Sequence, residues 1–130
     1  MSGPALFKVV VVDDSSHIPL LVAKALKGTE FELVAAAQNG EEGIKTIEDH
    51  QPRVVLLDML MPKLDGIDVL RRLRDTWSQT SFVIVSSSRV REDVLNCKKA
   101  GADAYVLKPF KLAHLLATLR RLTGDIQETA

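Results

Sequence analysis

Five side chains in this sequence are of types that could do chemistry together. They are the adjacent aspartates Asp13 and Asp14, a third aspartate at Asp58, a hydroxyl at Ser86 and an ammonium at Lys108. Each follows a run of largely apolar residues, at 9–12, 54–57, 81–85 and 104–107 respectively. Carboxylates brought to one place repel. Two like unit charges ~4 Å apart cost roughly 4 kcal/mol at an effective dielectric near 20, and a divalent cation reverses that sign. An oxygen-only ligand set without histidine or cysteine favours Mg2+, which keeps several waters and so accepts a phosphate oxygen readily. Mn2+ is the alternative ion. The residue types therefore point to metal and phosphate chemistry together, provided that the fold makes them converge.

The elements that must position them alternate. β-branched runs are followed by stretches of helical period, the pattern of repeated βα units and a parallel sheet covered on both faces. Strands are expected over residues 7–12, 31–36, 53–58, 81–85 and 104–107. The first helix takes Ser16 as its N-cap and carries Ile18, Leu21, Val22, Ala25 and Leu26 on one stripe before Gly28 stops it. Pro19 then falls in the first turn, where its missing N–H has no intrahelical partner to lose. Asn39-Gly40 reads as a turn, followed by helices over 41–50, 66–76, 90–99 and 112–122. The fourth of the five helices has a thin apolar stripe (Val90, Val94, Leu95), whereas the fifth repeats leucine at 112, 115, 116, 119 and 122. In such a sheet, right-handed crossovers bring the carboxyl ends of the strands to one edge, which is where all five candidate residues stand.

Four segments carry a resemblance: Val-Val-Asp-Asp-Ser at 11–15, Leu-Leu-Asp-Met-Leu-Met-Pro-Lys-Leu-Asp-Gly at 56–66, Val-Ser at 85–86 and Lys-Pro-Phe at 108–110. Together, in this order at strand ends, they resemble the receiver domain of two-component response regulators over residues 6–122. Residues 1–5 are left as an N-terminal extension and 123–130 as a C-terminal tail. The resemblance implies an α/β, doubly wound, five-stranded parallel sheet of order 2-1-3-4-5 with five helices, the flavodoxin-like arrangement. It implies that Asp58 is the phosphoacceptor, that Asp14 holds Mg2+ directly, that Asp13 does so mainly through water, and that the backbone carbonyl of Leu60 completes the protein ligands. Lys108 would pair with Asp58 and then with a phosphoryl oxygen, and Ser86 would hydrogen-bond another. Tyr105 matches the aromatic switch position, and Pro109 matches a cis proline that aims Lys108 into the pocket.

The resemblance also implies a histidine kinase or phosphotransfer protein as donor and a downstream protein or effector domain as receiver of the signal. The domain would catalyse its own phosphorylation and speed acyl-phosphate loss, with Leu60 and Ser88 flanking the incoming water, and would otherwise turn nothing over. A phosphorylation-dependent dimer through the fourth helix, fifth strand and fifth helix fits the same scheme. Two departures stand out. The family usually has threonine where this chain has Ser86, and alanine where it has Ser87.

Other features narrow the field. Seventeen basic and seventeen acidic residues cancel, so no global field draws the chain to nucleic acid or to a membrane. The apolar runs are too short to span a bilayer, and Met1-Ser2-Gly3-Pro4 has neither a basic nor an apolar leader region, which reads as cytoplasmic. Cys97 has no partner for a disulfide or metal site and reads as a half-buried helix residue; His17, His50 and His114 are scattered. Arg71, Arg72 and Arg74 read as a solvated helix face beside Asp68 and Asp75, Asp65-Gly66 as a turn without chemistry, and Met59 and Met61 as packing groups. Tyr105 has a second reading as a half-buried strand aromatic. Two rivals are discounted. An aspartyl-phosphate phosphatase needs an acid two residues after its nucleophile, where Leu60 stands. A flavin or nucleotide site needs a glycine-rich first turn, where Asp-Asp-Ser-Ser stands.

Overall fold

In the computed structural model, residues 6–124 are described, so the extension over 1–5 and residues 125–130 of the expected tail lie outside the described residues. One parallel sheet runs in the order β2-β1-β3-β4-β5, from β1 (Phe7–Val12), β2 (Phe31–Ala37), β3 (Val54–Asp58), β4 (Ser81–Ser86) and β5 (Ala104–Leu107). Alternating with the strands are α1 (His17–Leu26), α2 (Gly40–His50), α3 (Gly66–Leu73), α4 (Arg91–Ala100) and α5 (Leu112–Leu122). This is the expected doubly wound architecture. The strand order reverses beside β1, so β1 and β3 are neighbours and their terminal aspartates meet.

The unbroken valine and leucine runs of β1 and β3 arise because both faces of the sheet are covered, and successive side chains go to opposite layers. Val9, Val11, Leu56, Val83 and Val85 pack against Val22, Leu26, Leu115 and Leu119 of α1 and α5. Val10, Val12, Leu57, Phe82 and Ile84 pack against Ile47, Val69, Leu70 and Cys97 of α2, α3 and α4. Burying a leucine such as Leu115 or Leu119 stabilises by roughly 1.5–3 kcal/mol, so a one-residue slip of any central strand is strongly disfavoured. That alternation is what delivers Asp13 and Asp58 to the sheet edge. Among the described residues, no helix is long and apolar enough to cross a membrane.

Local chemistry departs from expectation at several helix ends. Ser16 precedes α1 but lies in the helical region (φ −66°, ψ −13°) and makes no side-chain cap; Ser15 Oγ instead accepts from the His17 N–H at 3.3 Å. Asn39 is more than a turn residue. Its Oδ1 accepts from the Glu42 N–H at 2.9 Å, so α2 starts at Gly40. Helix α3 stops at Leu73, short of residue 76, because the Arg74 guanidinium holds the following turns by donating to the carbonyls of Trp77 (2.9 Å) and Thr80 (2.7 Å). Arg74 is therefore not part of a solvated face, although Arg71 and Arg72 are exposed. At α4, the N-cap residue Val90 and, within the helix, Leu95 are 56% and 42% exposed, and Cys97, expected to be half-buried, is the residue this helix buries. Gly101 ends α4 at φ +112°, a left-handed position that favours glycine.

Candidate functional site

The carboxyl edge of the sheet gathers the predicted residues. Asp13 follows directly on β1, where its N–H donates to the Ala37 carbonyl at 2.9 Å and its Oδ1 accepts from the Ser15 N–H at 2.9 Å. These bonds turn the carboxylate inward, and Asp13 is 1% exposed. Asp58 closes β3 between β1 and β4 and is 7% exposed. Its Oδ1 accepts from the Leu60 N–H at 3.3 Å, in the loop that folds back behind it. Gly66 makes that return feasible: its N–H donates to the Met59 carbonyl at 2.9 Å, and a β-carbon there would collide with the Asp58 carbonyl oxygen. The Asp65-Gly66 pair thus shapes the site, and Asp65 also caps α3 by accepting from the Asp68 N–H at 2.9 Å.

Lys108 leaves β5 with its N–H donating to the Ser86 carbonyl at 2.8 Å, and the Lys108–Pro109 peptide is cis, as expected. Its Nζ lies 2.8 Å from Asp13 Oδ2 and 3.6 Å from Asp58 Oδ2. The pairing expected with Asp58 is therefore shared, and Asp13 holds the larger part. Asp13 Oδ2 is fully buried and makes no hydrogen bond, so at 2.8 Å its contact with the ammonium is Coulombic, outside hydrogen-bond geometry. Ser86, 3% exposed, accepts from the Ser88 N–H at 3.1 Å. Tyr105 is half-buried, with its hydroxyl donating to the Ser88 carbonyl at 2.8 Å.

Asp14 completes the cluster from an exposed position. Asp13, Asp14 and Asp58 each offer a carboxylate oxygen, and these atoms all lie within 4.8 Å of one another. Burial, then the Asp13 charge, pushes the Asp58 carboxyl up to about 6, against the lowering pull of Lys108 and the Leu60 N–H, with Asp14 adding to the rise. The rise is first a consequence of burial and only second of the crowded carboxylates, which Lys108 offsets in part.

The description "Response regulator receiver domain" matches residues 9–120. The chain belongs to that family. Chemotaxis protein CheY of Bacillus subtilis is 27% identical over 114 residues, covering 88% of this chain and 95% of CheY. Transcriptional regulatory protein PrrA of Mycobacterium tuberculosis is 35% identical over 123 residues, covering 95% of this chain and 52% of PrrA. Among solved structures, a CheX-CheY-BeF3-Mg2+ complex from Borrelia burgdorferi superposes with a TM-score of 0.85 at 26% identity, covering 91% of this chain and 90% of that one. The protein is accordingly a receiver domain of the two-component response-regulator type, a family that works with histidine kinases and downstream effectors.

Three converging carboxylate oxygens, all hard donors, with a single ammonium among them, make this receiver's acidic pocket a fit for a hard divalent cation. One connection beside the site was not anticipated from the sequence. The Ser88 hydroxyl donates to Asp93 Oδ2 at 2.6 Å and accepts from the Val90 N–H at 3.2 Å. A serine three residues before the helix start with an acid in the first turn, read as a local side-chain hydrogen-bonding pattern, would have pointed to it.

Proposed function

We propose that Asp58 is the phosphoacceptor of this receiver. A histidine kinase or phosphotransfer protein presents a phosphohistidine, an Asp58 carboxylate oxygen attacks the phosphorus in line, and the P–N bond breaks as the electron pair returns to the imidazole. Supporting this reading above all is the position of Asp58: buried, at a strand end, with its carboxyl raised to about 6 and both Asp13 and Lys108 facing it. Mg2+, with Mn2+ as a substitute, would be held by Asp14 directly, by Asp13 mainly through water, by Asp58 and by the Leu60 carbonyl. Its contribution when bound is to neutralise the carboxylates and the incoming phosphoryl oxygens.

Lys108 moves from its present sharing between Asp13 and Asp58 toward a phosphoryl oxygen, and Ser86 donates its hydroxyl to another. The added phosphate, roughly −1.5 to −2 charge, then biases Ser86, Tyr105 and the face formed by α4, β5 and α5, where a downstream protein, an effector domain or a second copy docks. Leu60 and Ser88 flank the water that later hydrolyses the acyl phosphate. The domain catalyses its own phosphorylation in the cytoplasm and needs no direct contact with nucleic acid or membrane.

Incubation with acetyl phosphate and Mg2+ tests the proposal. The expected product carries one phosphoryl group on Asp58, and chelation of Mg2+ prevents its formation. An Asp58→Asn variant that is labelled as fast as the wild type would overturn it.

A further inference from the structure

The carboxyl ends of α3 and α4 carry more cations than the two helices use. Arg71 and Arg72 stand in the last turn of α3, Lys98 and Lys99 in the last turn of α4, and all four are exposed. The helix dipoles favour cations there, but the carbonyls such side chains could serve are already taken. Those of Leu70 and Leu73 accept from the N–H groups of Arg74 and Trp77, and those of Cys97 and Lys98 accept from Ala102 and Gly101. Arg74 itself is engaged by Asp103 and by the Gly101, Trp77 and Thr80 carbonyls. Among the described residues, Arg71, Arg72, Lys98 and Lys99 form no ion pair. Asp75 and, one turn back on α3, Asp68 oppose them, which leaves a local excess of two positive charges. The acids of α4, Glu92 and Asp93, lie in its first turn, roughly 8–9 Å along the axis from Lys98 and so close to one Debye length away. Between the two helix ends runs a groove of about 320 Å3 lined by Arg71, Arg74, Asp75, Lys99, Ala100 and Gly101. The Arg74 stem packs so tightly on Gly101 that a β-carbon there would lie 2.5 Å from its Cγ and Cδ, which fixes the two helix ends relative to each other.

We propose that this groove is a docking site for an acidic segment of a partner protein, a stretch of chain that presents several Asp or Glu side chains to Arg71, Arg72, Lys98 and Lys99. Charge complementarity carries the inference: the cations are exposed, come from two helices onto one groove, and are left unmatched by the chain's own acids. Asp75 decides between kinds of polyanion. Its carboxylate stands in the groove wall as an acceptor, which a polypeptide can meet with a backbone N–H, whereas a DNA phosphodiester backbone has only acceptors to offer. The chain as a whole has no net charge, so the attraction is confined to this patch and provides no long-range pull on nucleic acid. Exposed ion pairs are individually weak, so the complex is a modest, salt-sensitive one whose specificity comes from the spacing of the four cations. The site lies at the edge of the sheet opposite Asp58 and stands apart from the reading of that residue as phosphoacceptor.

Titration of the isotope-labelled protein with a decaglutamate peptide, in low salt without Mg2+ and followed by NMR, tests the site. The largest amide shifts should fall on Arg71, Arg72, Lys99, Ala100 and Gly101. Reversing two of the cations, Arg71→Glu with Lys99→Glu, should weaken binding by roughly tenfold or more, and the neutral pair Arg71→Gln with Lys99→Gln by roughly threefold, because each exposed pair contributes little by itself. All four substituted positions are on the surface, so both variants should keep the wild-type amide pattern away from the groove; the neutral pair carries the test if the reversed one does not fold. Raising the salt to about 0.3 M should abolish most of the binding to the wild type. A decathymidylate of similar charge should bind at least severalfold more weakly than the peptide. Shifts centred on another surface, equal affinities in the wild type and both variants, or decathymidylate binding as tight as that of the peptide would overturn the proposal.

Discussion

The two edges of the sheet handle charge in opposite ways. At the amino edge, Arg74 donates to the carbonyls of Trp77, Thr80 and Gly101 and to Asp103 Oδ2 at 2.8 Å, and its guanidinium lies 4.7 Å above the Phe82 ring. Asp103 in turn accepts from the Phe82 N–H at 2.8 Å, and nearby Arg53 donates to Ser81 Oγ and to the Leu122 carbonyl. These cations sit against the carbonyl-rich ends of α3, α4 and α5, where the peptide dipoles attract them. At the carboxyl edge, three carboxylates share one ammonium, and a buried Asp13 oxygen goes without a hydrogen bond. The Arg74 and Asp103 charges of the amino edge are matched within the chain, whereas the carboxyl edge is left short of positive charge.

Breaking the amino edge should have the largest effect. Arg74→Ala leaves Asp103 and three carbonyls without their donor and should cost about 3 kcal/mol in urea unfolding, while leaving beryllofluoride binding in the surviving folded protein unchanged. A loss of beryllofluoride affinity with intact stability would erase the contrast. Next, Mg2+ at about 100 times its dissociation constant should raise the unfolding free energy by about 2.7 kcal/mol, and Asp13→Asn should abolish most of that gain.

The Asp58 charge gives an effect of comparable size, confined to a defined pH window. Its carboxyl rises from 3.8 unfolded to about 6 folded, so between those values the folded state binds more protons, and stability from this group falls as pH increases. The penalty is absent below about pH 4 and full above about pH 6. In metal-free protein, Asp58→Asn should therefore stabilise by up to about 3 kcal/mol at pH 7 and by well under 1 kcal/mol at pH 4, as read by thermal unfolding at both values. The smallest effect belongs to neither edge. Glu30 and Arg120 pair at 2.8 Å on the exposed flank, and Glu30→Ala should shift the thermal midpoint barely beyond error at low salt and not at all in 1 M salt.

Much of this was legible in residue order. The valine and leucine runs, the helical stripes and the strand-end polar residues placed Asp13, Asp14, Asp58, Ser86 and Lys108 on one edge, because period 2 and period 3.6 are local patterns and parallel βα units leave few ways to assemble. Helix ends were less legible. Ser16 and Asn39 are both acceptable capping residues, and only the path of the chain decided that Asn39 caps while Ser16 does not. Arg74 looked like its neighbours Arg71 and Arg72, since a helix-end arginine announces nothing about the loop that folds over it. The thin stripe of α4 was visible, but not that Cys97 would be its buried residue.

Sequence by itself determined the fold class, the family and the set of polar groups gathered at the carboxyl edge of the sheet. Tertiary structure decided how those groups divide their charge: Lys108 lies nearer Asp13 than Asp58, Ser86 is engaged by Ser88, and Ser88 is tied to Asp93 and Tyr105. The physical reason is range. Periodicity and capping act over a few residues, whereas electrostatic energies change by kilocalories over an ångström, and that distance is set by how helices on two faces press the strands into register.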